Sequence, residues 1–259
     1  MAIPRKIHYC WFGNGEKTEL VQKCIASWRK YCPDCEIIEW NESNYDVTKN
    51  EYMHQAYQAK RWGFVSDYAR LDIIYRHGGI YLDTDVELVK SMDTLLDGDG
   101  FIGFELPVDR EGLHYTVNTG QGFGAPAGSS VIQKMLDEYC QLSFRNSDGS
   151  QDLTACPAYN TRALQALGLK LDNSLQYLDG FCVYPTDFFC PINWKTKKCV
   201  ITKNTYSIHH FNASWLTESE KRKRKFARYM DFLIHLPNLC VRTLLGAERY
   251  EKLKAKLGR

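Results

Sequence analysis

The eleven residues GGIYLDTDVEL, Gly78–Leu88, set the reading of the whole chain. Ile80, Tyr81 and Leu82 have the apolar character of a buried strand, yet the strand runs into two acids, Asp83 and Asp85, instead of an ordinary turn. Residues two apart on a strand share a face, so the two carboxylates are expected to project together. They stand at the carboxyl end of the strand, the edge at which open α/β sheets bind ligands. Carboxylates this close repel one another, and a divalent cation relieves the repulsion. Oxygen ligands suit Mg²⁺ or Mn²⁺ better than zinc. A cation held by one or two carboxylates keeps open positions, which a substrate diphosphate commonly fills.

Upstream, SDYARLDIIYRH reads as a helix that Ser66-Asp67 would cap and Gly78-Gly79 would end. Asp67 and Arg70, three apart, fall on one face of it. KIHYCWF, bounded by Pro4 and GNG, is a predicted strand; ELVQKCIASWRKYC is a predicted helix and EIIEW a second strand. Strand and helix thus alternate from the start, the pattern of parallel βαβ winding. Downstream, GFIGFEL and YSIHHF read as strands, TVNTGQGFGAP as a glycine-rich segment with at least one strand, and SVIQKMLDEYCQLSF and NTRALQALGL as helices. Neither a low-complexity linker nor an internal repeat divides the chain. The expected organisation is one α/β domain, residues 1–216, followed by a helical extension, 217–259.

The composition, 44% apolar and 25% charged, is that of a globular protein with a sizeable core. No run reaches the roughly 18–20 apolar residues of a membrane span, and MAIPRKIHYCWFG lacks a signal-peptide pattern, so a cytoplasmic setting is expected. Ten cysteines are scattered without a framework, and the lone CxxC, Cys32 and Cys35, has no second pair for zinc; reduced thiols are expected. Residues 220–259 hold twelve Lys/Arg against four Asp/Glu, a net +8, which leaves −6 on the rest. An acidic body disfavours nucleic acid as a partner. The basic stretch KRKRKFARYMDFLIHLPNLCVRTLL mixes charge with apolar residues, as peripheral contact with an anionic inner leaflet requires; a solvated basic helix is the other reading.

FVSDYARLDIIYRHGGIYLDTDVEL closely resembles the Ser-Asp-x-x-Arg and Gly-Gly-x-Tyr-x-Asp-x-Asp core of the family-32 glycosyltransferases, which include capsular-polysaccharide transferases and share this motif with clostridial glucosylating toxins. IPRKIHYCWFGNG is similar to their opening strand and SIHHFNASW to their closing His-x-aromatic-x-x-Ser-Trp. The resemblance implies a GT-A fold, an α/β architecture with a mixed, mainly parallel central sheet, binding a nucleotide sugar through Mn²⁺ or Mg²⁺. It implies that Trp11, with Phe12 beside it, meets the nucleotide base. Asp67 and Arg70 would hold the donor sugar, with Arg70 near the phosphates. Asp83 would contact donor hydroxyls and share the metal, with Thr84 between the two acids. Asp85 would be the principal metal ligand. His209 fits the His-x-aromatic spacing and is assigned to the metal, with His210 on the opposite face. Ser214 and Trp215 would meet the diphosphate, and Asn118 would line the sugar site, the plain alternative there being a hairpin. In LTACPAYNTRAL, Cys156 stands where the family has Gly, and Gln151 and Asp152 are candidates for the acceptor side or the anomeric face.

The implied reaction is retaining transfer of a hexose or N-acetylhexosamine from a UDP-sugar to a saccharide or lipid-linked saccharide, in surface polysaccharide synthesis. The residues offer no nucleophile comparable with the paired acids of glycosidases, so same-face attack is expected. A nucleotide-sugar hydrolase and a non-catalytic carbohydrate-binding protein are the rival classes.

Overall fold

Thr18 opens the first helix by accepting the Val21 amide at 3.4 Å, and Glu19 in the first turn with Arg29 and Lys30 in the last complement the helix dipole. This helix, α1 (Glu19–Tyr31), joins β1 (Lys6–Cys10) to β2 (Glu36–Trp40). The computed structural model describes residues 2–106, 115–193 and 198–212, together with Arg222. After β2 come α2 (Glu51–Gln58), α3 (Trp62–His77), β3 (Gly79–Tyr81) and β4 (Val86–Leu88). A short 3-10 turn (Asp93–Leu95) leads to β5 (Phe101–Glu105), β6 (Thr116–Val117), β7 (Phe123–Ala125), α4 (Ser130–Tyr139) and α5 (Cys156–Gln165). The last described elements are β8 (Gln176–Leu178), β9 (Phe181–Tyr184), α6 (Thr186–Phe189) and β10 (Ser207–His209). All of them belong to one compact unit, Met1–Asn212. The boundary expected at 216, and the basic extension beyond it, lie outside the described residues.

The central sheet is mixed, as expected, with strand order β2-β1-β3-β7-β5-β9-β8 and β6 added to β5. β1 pairs in parallel with both β2 and β3, and β5 with β9; β7 runs antiparallel to both β3 and β5. Because β7 opposes both neighbours, β1, β3 and β5 all point the same way. Their carboxyl ends, leading to Trp11, Asp83 and Glu105, share one edge of the sheet.

Alternation along β1 divides the core. Ile7 and Tyr9 join Val21, Cys24, Ile25 and Trp28 of α1 in the main apolar cluster, with Ile80, Leu82, Val86 and Leu88. Trp28 is fully buried and donates its indole N–H to the Val86 carbonyl at 2.7 Å, tying α1 to the strand that follows Asp85. His8 looks the other way: its Nε2 lies 2.9 Å from the Gly78 carbonyl and its Nδ1 accepts from Trp40 at 3.0 Å. Burial pushes the His8 imidazole down to about 4.

The Ser66-Asp67 cap is corrected. α3 begins at Trp62, with Arg61 at its N-cap position and no side-chain cap bond, and the Ser66 hydroxyl donates back to the Trp62 carbonyl. The first turn carries Phe64 and Val65, both buried, so packing rather than capping sets where the helix starts. The expected stop is observed: Gly78, with φ +61, closes α3 by donating to the Ile74 carbonyl at 2.8 Å. The nine cysteines among the described residues are free thiols.

Candidate active site

Asp83 and Asp85 come together through a turn, and the expectation of a shared strand face is corrected. β3 ends at Tyr81, and the Val86 amide closes back on the Asp83 carbonyl at 3.0 Å. The two acids occupy the first and third places of that turn, with half-buried Thr84 between them. The turn is pinned from both sides. Asp83 N–H donates to the Gly120 carbonyl at 3.1 Å, and Asp85 O accepts the His210 amide at 3.0 Å.

β4 then pairs antiparallel with β10, placing His209 opposite Val86. This register carries the His209 ring to the acids, its Nε2 3.3 Å from Asp85 Oδ1. His210 turns away and meets Glu87 at 2.9 Å. One ligand atom from each of Asp83, Asp85 and His209 lies within 4.8 Å of the others. The set, two carboxylates and one imidazole, fits Mn²⁺ or Mg²⁺ with positions left open. His209 Nδ1 is buried without a hydrogen-bond partner among the described residues. Phe211, φ +51, holds a left-handed backbone and packs its ring at a tilt against that of His209, at 4.3 Å between centroids.

Behind the acids lies a cation. Arg70, 3% exposed, pairs with Asp67 Oδ1 at 2.7 Å and reaches Asp83 Oδ1 at 3.4 Å. Its Nε donates to the Ser66 carbonyl at 3.0 Å, and the guanidinium lies over Tyr81 at 5.2 Å. The spacing of Asp67 and Arg70 on α3 is thus used as an ion pair aimed at the turn. Burial is the main influence on Asp67, raising it to about 6, with Arg70 opposing and Asp83 adding to the rise. Burial also raises Asp83, against the pull of Arg70 and with help from Asp85. Asp85 goes the other way: burial would raise it, but His209 and the Asn212 amide hold it at about 2. Burial works against the imidazolium of His209, yet Asp85 first, then Asp83 and Glu105, raise it.

Asn118 is buried beside this group. Its Nδ2 donates to Glu105 Oε2 at 2.9 Å, and its Oδ1 accepts the Gly120 amide at 2.6 Å. Trp11 follows β1 at the same sheet edge; it is half-buried, its indole N–H bound to the Gly15 carbonyl at 2.7 Å and Lys17 5.5 Å from its ring. Phe12 buries its ring edge-on against Tyr45 in the core. Asp152 is not joined to the acids by any hydrogen bond or ion pair among the described residues. It accepts instead from the Thr154 amide at 2.9 Å and the Tyr159 hydroxyl at 2.7 Å, as a turn-stabilising acid does. Gln151 takes Arg61 at 2.9 Å. Ser214 and Trp215 lie outside the described residues.

Besides Glu105, three site residues were not singled out as functional from the sequence. Gly120 is required for space: a Cβ there would lie 2.3 Å from Asp83 Oδ2, 3.0 Å from Asn118 Oδ1 and 3.1 Å from Arg70 Nη1. Thr119 receives Arg70 Nη1 at 3.4 Å and Asn160 Nδ2 at 2.9 Å. Cys156, noted only as a departure from glycine, sits with its thiol 3.7 Å from Arg70 Nη1 and 3.9 Å from Asn118 Oδ1. The glycine-rich run was the available signal for the first two; nothing local in the sequence brings Cys156 to Arg70.

Residues 18–102 match the family described as glycosyltransferase sugar-binding region containing DXD motif. The matched segment contains Asp67, Arg70, Asp83 and Asp85. Inositol phosphoceramide mannosyltransferase 3 of Schizosaccharomyces pombe is 32% identical over 107 residues, covering 37% of this chain and 28% of that protein. The chain thus spans well under a third of that relative's length. Among solved structures, the PaToxG glycosyltransferase is 21% identical over 64% of this chain and 70% of its own, with a TM-score of 0.44. The galactosyltransferase LgtC, in complex with donor and acceptor sugar analogs, is 15% identical over 81% and 88%, also at 0.44.

Proposed function

We propose that this chain is a GT-A-type, metal-dependent, retaining glycosyltransferase, moving a hexose or N-acetylhexosamine from a UDP-sugar to a saccharide or lipid-linked saccharide in surface polysaccharide synthesis. The observation that carries the reading is the convergence of Asp83, Asp85 and His209 at the carboxyl edge of the sheet, with the Arg70 guanidinium against Asp83. The DXD sugar-binding match over residues 18–102 supports the class. The name of the yeast relative, a mannosyltransferase of inositol phosphoceramide, supports a lipid-borne acceptor and adds mannose to the sugars worth testing.

Asp83, Asp85 and His209 would hold the cation, which when bound supplies positive charge to a departing diphosphate. Arg70, kept charged by Asp67 and Asp83, adds a fixed guanidinium beside the same position. Trp11 offers a half-buried indole for the nucleotide base, and Asn118 a buried amide beside the sugar. In same-face transfer the acceptor oxygen bonds to the anomeric carbon as the carbon–phosphate-oxygen bond breaks. The bonding electrons pass to that phosphate oxygen, which takes the acceptor's proton. We place the reaction in the cytoplasm, with residues 217–259 resting on an anionic membrane surface.

The test is a panel of uridine and guanosine diphosphate sugars with Mn²⁺, scored by thermal shift and by sugar release or transfer. One donor should stabilise the protein only with Mn²⁺, and Asp85→Asn should abolish that stabilisation. Absence of any manganese-dependent donor binding sinks the reading. Release to water, undiminished when saccharide and lipid-linked acceptors are added, would favour a hydrolase.

A further inference from the structure

Glu105 ends β5 at the same sheet edge as Asp83, yet it belongs to none of the sequence motifs. It is 6% exposed, and the Thr116 hydroxyl and the Asn118 amide, both neutral donors, meet its carboxylate at 3.0 Å on Oε1 and 2.9 Å on Oε2. No salt bridge holds it among the described residues; the one opposing charge it interacts with there is the His209 imidazolium, at longer range. A buried carboxylate met only by neutral donors costs stability, which a core position has no reason to bear unless the charge serves something.

We infer that Glu105 is a positioning residue, which locks the orientation of the Asn118 amide and through it the Gly120 backbone that carries Asp83. The inference rests on the transferase reading for its functional consequence, but its geometry stands by itself. A side-chain amide offers NH₂ on one side and oxygen on the other, and its partners decide which way it faces. An ionised carboxylate only accepts, so Glu105 takes Asn118 Nδ2 and forces Oδ1 to the opposite side. There Oδ1 accepts the Gly120 backbone N–H at 2.6 Å, while the backbone N–H of Asn118 donates to the Gly103 carbonyl of β5 at 3.2 Å. The Gly120 carbonyl in turn accepts the Asp83 amide at 3.1 Å. A flipped Asn118 would turn its oxygen on the carboxylate and its NH₂ on the Gly120 N–H, losing both bonds. The relay from Glu105 through Asn118 and Gly120 therefore has one low-energy setting, and that setting places Asp83 against Arg70. Gly120 transmits it tightly, since its Cα hydrogen already faces Asp83 Oδ2 with no room for a methyl group.

The experiment uses the full chain with Glu105→Gln, Glu105→Asp, Asn118→Ala and the double variant Glu105→Gln/Asn118→Ala. Manganese affinity is measured by calorimetry, and kcat and KM with the donor that the panel identifies. Glu105→Gln replaces the acceptor-only partner of Nδ2 by an amide that can donate or accept, leaving the Gly120 N–H alone to orient Asn118, and Glu105→Asp keeps the charge but withdraws it from Asn118. Each should lower manganese affinity by about 10-fold and kcat/KM by about 10- to 100-fold. Glu105→Asp also guards against a Glu105→Gln variant that does not fold. The double variant should lose no more than Asn118→Ala alone, because the two residues act in series. Wild-type manganese affinity in a folded Glu105 variant, or losses that multiply in the double variant, would overturn the inference. If the wild-type chain turns over no nucleotide sugar, the transferase reading falls, and the manganese titrations still decide the positioning role.

Discussion

Gly120→Ala is the sharpest perturbation of the site, because its size can be worked from the coordinates. The added Cβ would lie 2.3 Å from Asp83 Oδ2, whereas a carbon–oxygen contact settles near 3.3 Å or beyond, about 1 Å further. The nearest obstacle is the free end of a side chain, so the backbone can stay and the carboxylate must swing away. The stability cost should fall at the low end of overpacking, about 1 kcal/mol, or a melting shift of about 2–4 °C. A metal site tolerates far less. Coordination bonds to Mg²⁺-sized ions are about 2.1 Å long, so under the proposed metal role a 1 Å retreat would take Asp83 out of reach of the ion. Misplacement of that size in a catalytic constellation costs about 100-fold. Calorimetric titration with Mn²⁺, followed by UDP in the presence of Mn²⁺, should therefore show a large affinity loss in a protein that melts almost normally. Wild-type manganese affinity in Gly120→Ala would refute the argument that this close approach positions Asp83.

His8 makes stability sensitive to acid. Its folded pKa of about 4 lies below the ordinary 6.5, so its contribution is intact above pH 6.5 and is lost as pH falls to about 4. The unfolding free energy should decline by about 1.4 kcal/mol per pH unit in that window, to a limit of about 3 kcal/mol; denaturant titrations of His8→Gln should show a flatter profile, and an identical one would refute the assignment. Trp28→Phe leaves the Val86 carbonyl without its 2.7 Å donor at a fully buried position and should cost about 1–3 kcal/mol by chemical denaturation. For the extension, flotation with anionic liposomes should recover the full chain and not a chain cut after Thr217; equal recovery would remove the membrane role.

Much of the fold was legible because its signals are local. Helical spacing marks α1, the alternation of Ile7 and Tyr9 with His8 marks β1, and Gly78 ends α3 because a left-handed backbone costs glycine nothing. The start of α3 was misread for the complementary reason. Ser66-Asp67 has the look of a cap, but burying Phe64 and Val65 extends the helix a full turn earlier, and burial is decided by partners distant in the chain.

The candidate site divides along the same line. By itself the sequence determined that Asp67 and Arg70 share a helical face, since a three-residue spacing on a helix limits where side chains can point, and that Asp83 and Asp85 end an apolar run. Tertiary structure alone decided that a turn, not a strand face, joins the two acids, that β4 pairs with β10 and so carries to the acids the His209 already picked out by its His-x-aromatic spacing, and that Glu105, Asn118 and Gly120 stand behind Asp83. Those contacts depend on strand register and on space left by a missing Cβ. Both arise only when segments up to 126 residues apart, as Asp83 and His209 are, pack against each other.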